Sequence, residues 1–442
     1  MARSRLVTGA ALVAAGALLT GCAGAGAIGG GSDSTQLTIA IDAIALSSRF
    51  ERDNPGIELD FVSLPENEAR AKITTSVATG GGEYDVTMIS NYETQMWAEN
   101  GWITNLQPYI DESPSYDADD FIPSLKESLS YEGDMYSVPF YGESSFLTYR
   151  EDLFEKAGLT MPAKPTWPQV AELAKKLDDP ENGVSGICLR GIPGWGEVLA
   201  PLDTVINTFG GRWFDENWNA QLTSPEVKEA VQFYVDTVRE SGQTGAAASN
   251  FGDCLTRYSQ GQAAMWYDAT SMVSTTEDKA ESEVEGKNGY APAPVVKTES
   301  SGWLYTWSLG IPRTSEHKDD AWKFVEWMTN KEYIETVGEE LGWARVPPGS
   351  RQSTYEIPQV EDAAQAYAGP TLQALETADE KKPTVQAVPY QGIQFLRIPE
   401  FQDLGTRVSQ QIAAAIAGNV TVDEALEQSQ RYAQSVGESY RE

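Results

Sequence analysis

The sequence predicts an α/β protein of two lobes, and three observations carry that expectation. The order strand, helix, strand, helix, strand between Leu37 and Ile89 is the pattern of parallel strands joined by crossovers. A chain of 442 residues is too long for one hydrophobic core. At Tyr136 to Arg150, YSVPFYGESSFLTYR, two β-prone runs meet at a polar break. That break reads as a strand leaving one lobe and another opening the next. Gly142 supplies backbone freedom there, and Glu143 places a carboxylate on a short segment held from both sides.

The elements follow in order. Leu37 to Asp42 reads as a strand and Ala43 to Arg52 as a helix, stopped by Asp53-Asn54-Pro55-Gly56. Ile57 to Val62 is the second strand, and Glu68 to Thr79 an amphipathic helix with Ala69, Ile73, Ser76 and Val77 on one side. Three glycines then lead to a buried strand, Tyr84 to Ile89. Ligands of open sheets meet the loops after the carboxyl ends of the strands, here Ser63 to Asn67 and Ser90 to Glu93, which makes Glu66, Asn91 and Tyr92 candidates. Beyond the break, Gln169–Leu177, Val198–Phe209 and Val227–Arg239 read as helices, and Ser185–Leu189 and Ala263–Tyr267 as strands. Tyr305 to Ile311 reads as a return to the first lobe. The helices Asp319–Thr329, Leu404–Ala417 and Val422–Val436 complete the chain.

The N-terminus reads as a processing segment. Arg3 and Arg5 precede an apolar run, Leu6 to Leu19, and Leu19-Thr20-Gly21-Cys22 resembles the lipobox of bacterial lipoproteins. The resemblance implies a signal peptide over 1–21, a lipid on Cys22, and a flexible tether over 22–36. The net charge of −33 argues against nucleic acid and anionic ligands, and favours a soluble monomer. For Cys188 and Cys254 two buried thiols are the expected state, with a disulfide as the alternative that sequence alone cannot decide. With His317 as the one histidine, catalytic triads and histidine-based zinc sites have little to work with, so neither metal nor cofactor is expected.

A set of motifs in fixed order resembles the extracytoplasmic solute-binding proteins of carbohydrate ABC transporters. They are Asn54-Pro55-Gly56-Ile57, then Glu151-Asp152-Leu153-Phe154-Glu155-Lys156-Ala157-Gly158 with Pro165-Thr166-Trp167, Leu222-Thr223-Ser224-Pro225-Glu226, Gly261-Gln262-Ala263-Ala264-Met265 and Ala321-Trp322-Lys323-Phe324. Pro139-Phe140-Tyr141-Gly142-Glu143, Gly194-Trp195-Gly196-Glu197, Trp343-Ala344-Arg345-Val346-Pro347-Pro348-Gly349 and Gly392-Ile393-Gln394-Phe395 resemble its polyol branch. One departure is a shortened connection after the first strand, where Asp42 runs straight into Ala43, so contacts from that loop do not carry over.

The resemblance implies a type II periplasmic-binding-protein-like fold with discontinuous lobes, a multi-crossover hinge and a ligand cleft between them. The first lobe would comprise 37–140 and about 300–350, the second about 145–295 and 355–442. It implies capture of a neutral sugar alcohol such as sorbitol, mannitol or arabitol, and delivery to ABC permease subunits outside the cell membrane. Such a ligand needs aromatic faces beside oriented acceptors. Those pairings occur at Glu143, at Trp195 with Glu197, at Asp268, at Trp307, and at Glu400 with Gln402. Two alternatives stand beside this reading: a mono- or oligosaccharide ligand, and a glycoside hydrolase using paired carboxylates among Glu143, Glu197 and Glu400.

Overall fold

The computed structural model describes residues 34–38, 41–62 and 66–441, with side chains from Leu46 onward except at 66–69, 71 and 344. The signal segment, Cys22, most of the tether and the side chain of Glu66 lie outside the described residues. The strands are β1 (Ser34–Thr38), β2 (Glu58–Phe61), β3 (Val86–Ser90), β4 (Ser130–Tyr131), β5 (Asp134–Met135), β6 (Ser137–Glu143), β7 (Ser145–Arg150), β8 (Met265–Ala269), β9 (Asn288–Pro292) and β10 (Tyr305–Gly310). Helices α1 (Ile41–Asp53), α2 (Glu66–Thr79) and α3 (Asn91–Glu99) follow β1, β2 and β3 in turn.

The first sheet has the order β2-β1-β3-β10-β6. β1 runs parallel to both β2 and β3, while β10 is antiparallel to β3 and β6. The expected strand at Leu37–Asp42 is displaced towards the N-terminus: Ser34 to Leu37 take up the four partners that β2 offers, and the chain is helical from Ile41. Alternation alone cannot set that limit, because the pairing strand decides it. The return to the first sheet falls at β10, as the sequence predicts.

Ser144 alone separates β6 from β7, the centre of the second sheet, whose order is β8-β7-β9. The second wall of this hinge is the chain at Gly349. The Gly142 N–H donates to the Pro348 carbonyl at 3.0 Å. A Cβ on Gly142 would lie 2.7 Å from the Gly349 carbonyl oxygen, and one on Gly349 only 2.3 Å from that of Gly142. The two strands of chain therefore cross at a distance that only glycine permits.

Two expectations for the second lobe are corrected. Cys188 and Cys254 form a disulfide with a Cα separation of 5.7 Å, so they are not free thiols; the fold brings together positions whose spacing the sequence did not reveal. The segment Ser185–Leu189 is not a regular strand: it makes isolated bridges from Ser185 to Ala263, Ile187 to Gly242 and Cys188 to Trp266. Its partners lie on two different elements, so no continuous ladder forms.

The helix Leu199–Thr208 is buried along its whole length, which includes one carboxylic acid. Asp203 accepts from the Trp213 indole N–H at 3.1 Å through one oxygen, and its other oxygen has no hydrogen-bond partner. Burial pushes this acid well above the usual carboxylate range. A carboxyl raised by folding stabilises the fold fully below its unfolded pKa, about 3.9, and that stability is lost as pH rises towards the folded value. Asp203→Asn is therefore expected to melt above wild type at pH 7, with the gap shrinking towards pH 4 in calorimetric scans. A constant gap across that range would show that Asp203 does not titrate with folding.

Candidate functional site

Strand periodicity builds one wall of a cavity between the two sheets. Successive side chains alternate across a strand, so Tyr141 and Glu143 on β6 share a face, as do Tyr305 and Trp307 on β10. The register pairs Tyr305 with Glu143 and Trp307 with Tyr141. All four line a cavity of about 120 Å³, with Trp303 two residues before β10 extending the same row. The register shifts between Trp307 and Ser308, opposite Tyr141 and Pro139, leaving Phe140 as the extra residue beside a proline that cannot donate to the ladder.

Arg70 enters this wall from α2, on the stripe that also buries Ile73 and Val77. Its guanidinium lies 4.5 Å from the Trp307 ring centroid and 5.0 Å from that of Trp195, and donates to the Tyr305 hydroxyl. Glu93 balances the charge, accepting from Arg70 at 2.8 Å. Glu93 is in turn fixed by a capping box at the start of α3, where it accepts from the Ser90 N–H at 3.0 Å and from the Ser90 hydroxyl.

The opposite wall is made by Arg190 and Gly196 from a loop, Ala200 and Phe251 from the first turns of the helices Leu199–Thr208 and Phe251–Ser259, Ala269 at the end of β8 and Ser271 just after it. Arg190 is gripped by Asp268 through two bonds, of 2.9 and 2.5 Å, and donates to the Gly196 carbonyl at 3.0 Å. Its guanidinium lies 5.1 Å over the Phe251 ring. The Ser271 hydroxyl donates to Glu143 at 2.6 Å, joining the two walls. Gln394 and Phe395 line the rest; the Gln394 amide donates to the Leu304 carbonyl at 3.1 Å, which fixes its orientation.

Of the residues singled out in the sequence, Glu143 and Trp307 line this cavity. The side chain of Glu66 lies outside the described residues, and the remaining ones do not line the cavity. Asp268 is not a loop acid: β8 runs two residues beyond its expected end, and the side chain is fully buried against Arg190 and the Trp266 indole N–H. Glu197 sits beside the cavity with an oxygen 3.7 Å from Arg190. Trp195 lies behind the wall, packed between Tyr92 and Phe395 with centroids 5.4 and 4.9 Å away. Asn91 and Tyr92 occupy the first turn of α3; Asn91 accepts from the Thr306 N–H at 3.1 Å, and the Tyr92 hydroxyl donates to the Ile398 carbonyl at 2.9 Å. Glu400 accepts from the Tyr440 hydroxyl at 2.6 Å, and Gln402 lies in the first turn of the helix Phe401–Ile416. Sequence reasoning missed Arg70, Arg190, Tyr141, Trp303, Tyr305, Gln394 and Phe395. The alternation signal extends from Glu143 to Tyr141 and from Trp307 to Tyr305, and would have found those two.

A cavity between two α/β lobes, walled by aromatic faces and by guanidinium, carboxylate and amide groups held by buried partners, defines a binding protein of the type II periplasmic class. Residues 32–335 match the bacterial extracellular solute-binding protein family, and the chain belongs to that family. It is 42% identical over 387 residues to a mannitol-binding protein of Pseudomonas aeruginosa, covering 87% of this chain and 88% of that one. It also resembles a solved ABC transporter solute-binding protein from Agrobacterium vitis S4 with bound D-mannitol: 43% identity, TM-score 0.89, covering 92% of this chain and 98% of that one. A solute-binding protein from Agrobacterium radiobacter K84 in complex with ribitol, 24% identical, shares the fold with a TM-score of 0.80 over 91% of this chain and 98% of its own. The chain is an extracytoplasmic solute-binding component of an ABC transporter and not an enzyme, so the glycoside hydrolase alternative falls.

Proposed function

We propose that this protein captures an uncharged sugar alcohol of the hexitol class, as its mannitol-binding relatives do, and delivers it to ABC permease subunits while a lipid on Cys22 holds it at the membrane. The observation that carries the reading is the set Glu143, Arg70, Arg190 and Gln394 around one cavity with the faces of Trp303, Tyr305 and Trp307. Hydroxyls both donate and accept, so a polyol matches a mixed set of acceptors and donors, while its C–H faces match the rings. Each arginine has its own buried carboxylate, so neither leaves surplus positive charge for a sugar acid or phosphate. In this reading the first lobe holds 37–140 and about 300–350, the second about 145–295 and 355–442, and ligand draws them together as a monomer.

Calorimetry of the full mature chain with pentitols, hexitols, hexoses and a sugar phosphate tests it. Tight binding confined to a hexose or an oligosaccharide would replace the reading. Glu143→Ala is expected to weaken hexitol binding by roughly 10- to 150-fold, the value of about 1.5 to 3 kcal/mol for a charge-assisted bond. The ligand-free protein should stay folded with a modestly lower melting temperature, since the variant loses the Ser271 bond between the walls while the vacated space opens into the cavity. Unchanged affinity would remove Glu143 from the site.

A further inference from the structure

Gln394 and Phe395 reach the cavity from an irregular segment between two helices, where no strand or helix holds them. The segment is instead closed by its own polar bonds. Glu380 accepts the Gly392 N–H through its carbonyl at 2.8 Å, and the Arg397 N–H donates to the Gln391 carbonyl at 2.8 Å. The Arg397 side chain donates to the Glu380 carboxylate at 2.6 Å and to the Gln391 amide oxygen at 3.1 Å. Gly392 has a φ of +110°, and a Cβ there would lie 1.9 Å from the Phe395 carbonyl oxygen, so the turn is too tight for any other residue.

The same pair reaches across to α3 of the first sheet. Arg397 donates to the Gln95 side chain at 2.7 Å, and Glu380 accepts from the Asn91 side chain at 3.1 Å. Glu380 and Arg397 expose only 16% and 13% of their side chains, so water competes weakly with these bonds. The outer end of the segment is mounted on the other side: the Asn207 amide donates to the Ile393 carbonyl at 2.8 Å and Thr384 donates to the Asn207 carbonyl at 2.9 Å.

We infer that Glu380 and Arg397 are positioning residues for ligand binding: without touching ligand, they brace the turn that carries Gln394 and Phe395 against α3. The inference rests on the hexitol reading only for the choice of probe. Arg397 suits the role because its planar guanidinium reaches Gln95 and Gln391 from one nitrogen and Glu380 from another, whereas a lysine ammonium would have to meet all three acceptors from a single point.

The test compares Arg397→Ala, Arg397→Lys, Glu380→Ala and Lys381→Ala by stopped-flow and calorimetric titration with D-mannitol. Lys381 is the control: it lies on the same segment, and its ion pair with Glu127 of the helix Pro123–Ser128 is exposed on both sides and so contributes little. Arg397→Ala and Glu380→Ala should each weaken binding about 10-fold through faster dissociation, the double variant little further, and Arg397→Lys should recover only part. Lys381→Ala should match wild type. Amide hydrogen exchange of the ligand-free protein supplies a readout independent of ligand identity: the Gly392 amide should exchange faster in Arg397→Ala, while those of the first sheet stay unchanged. Local protection equal to wild type overturns the bracing, as does wild-type dissociation in Arg397→Ala. Failure of wild type to bind mannitol would instead strike the hexitol reading, leaving exchange to decide this one.

Discussion

Asp268→Ala is expected to cost about 3 to 5 kcal/mol of stability and to remove ligand binding with it, because it leaves a buried guanidinium without its counter-charge. Asp268 is fully buried and Arg190 exposes 7% of its surface. The carboxylate accepts both guanidinium bonds, the Trp266 indole N–H at 3.2 Å and the Ala269 N–H at 2.7 Å. After truncation Arg190 keeps the Gly196 carbonyl and a longer approach to Glu197, and those cannot replace a bidentate ion pair. Urea denaturation of the ligand-free protein measures the loss. Asp268→Asn should fall between the two, since it retains an acceptor but not the charge. A loss under about 1 kcal/mol for Asp268→Ala would mean that water reaches Arg190 freely, as at a surface pair.

Asp268 also shows where sequence reading stops. The run Ala263 to Tyr267 reads as a strand with an acid just beyond it, which suggests a loop acid facing ligand. Two more residues of pairing, Ser145 with Ala269 and Phe146 with Asp268, turn that acid into a core residue. Its partner is 78 positions away in sequence, so local periodicity contains nothing of the ion pair. Arg70 was missed although a local signal pointed to it: an arginine three residues before Ile73 and seven before Val77 falls on the apolar stripe of α2, where a buried charge needs a partner. Gln394 and Phe395 belong to a segment without period, and only tertiary bonds bring them to the cavity. The parallel β1, β2 and β3 units and the return at β10 were readable because crossover connections and strand alternation are local patterns with few topological solutions.

Replacing both Cys188 and Cys254 with serine is expected to cost about 4 kcal/mol, the loop-closure entropy of a cross-link of this length. The bridge spans a sequence separation of 66, and both residues are fully buried. Its location ties stability to the site. Cys188 stands two residues before Arg190, and Cys254 lies one helical turn after Phe251, the ring on which the Arg190 guanidinium rests. The disulfide thus joins the two segments that meet in one wall of the cavity, in the oxidising setting where an extracytoplasmic protein keeps such bonds. The double variant should lower the urea midpoint and also weaken ligand binding, with a steeper slope of unfolding, because the unfolded chain without the cross-link is less compact. Because neither sulfur reaches solvent, a thiol reductant should act on the wild-type protein only through opened molecules, so that reduction accelerates with urea and slows with bound ligand. An unchanged midpoint in the double variant, or reduction at one rate with and without ligand, would separate the bridge from both the fold's stability and the cavity wall.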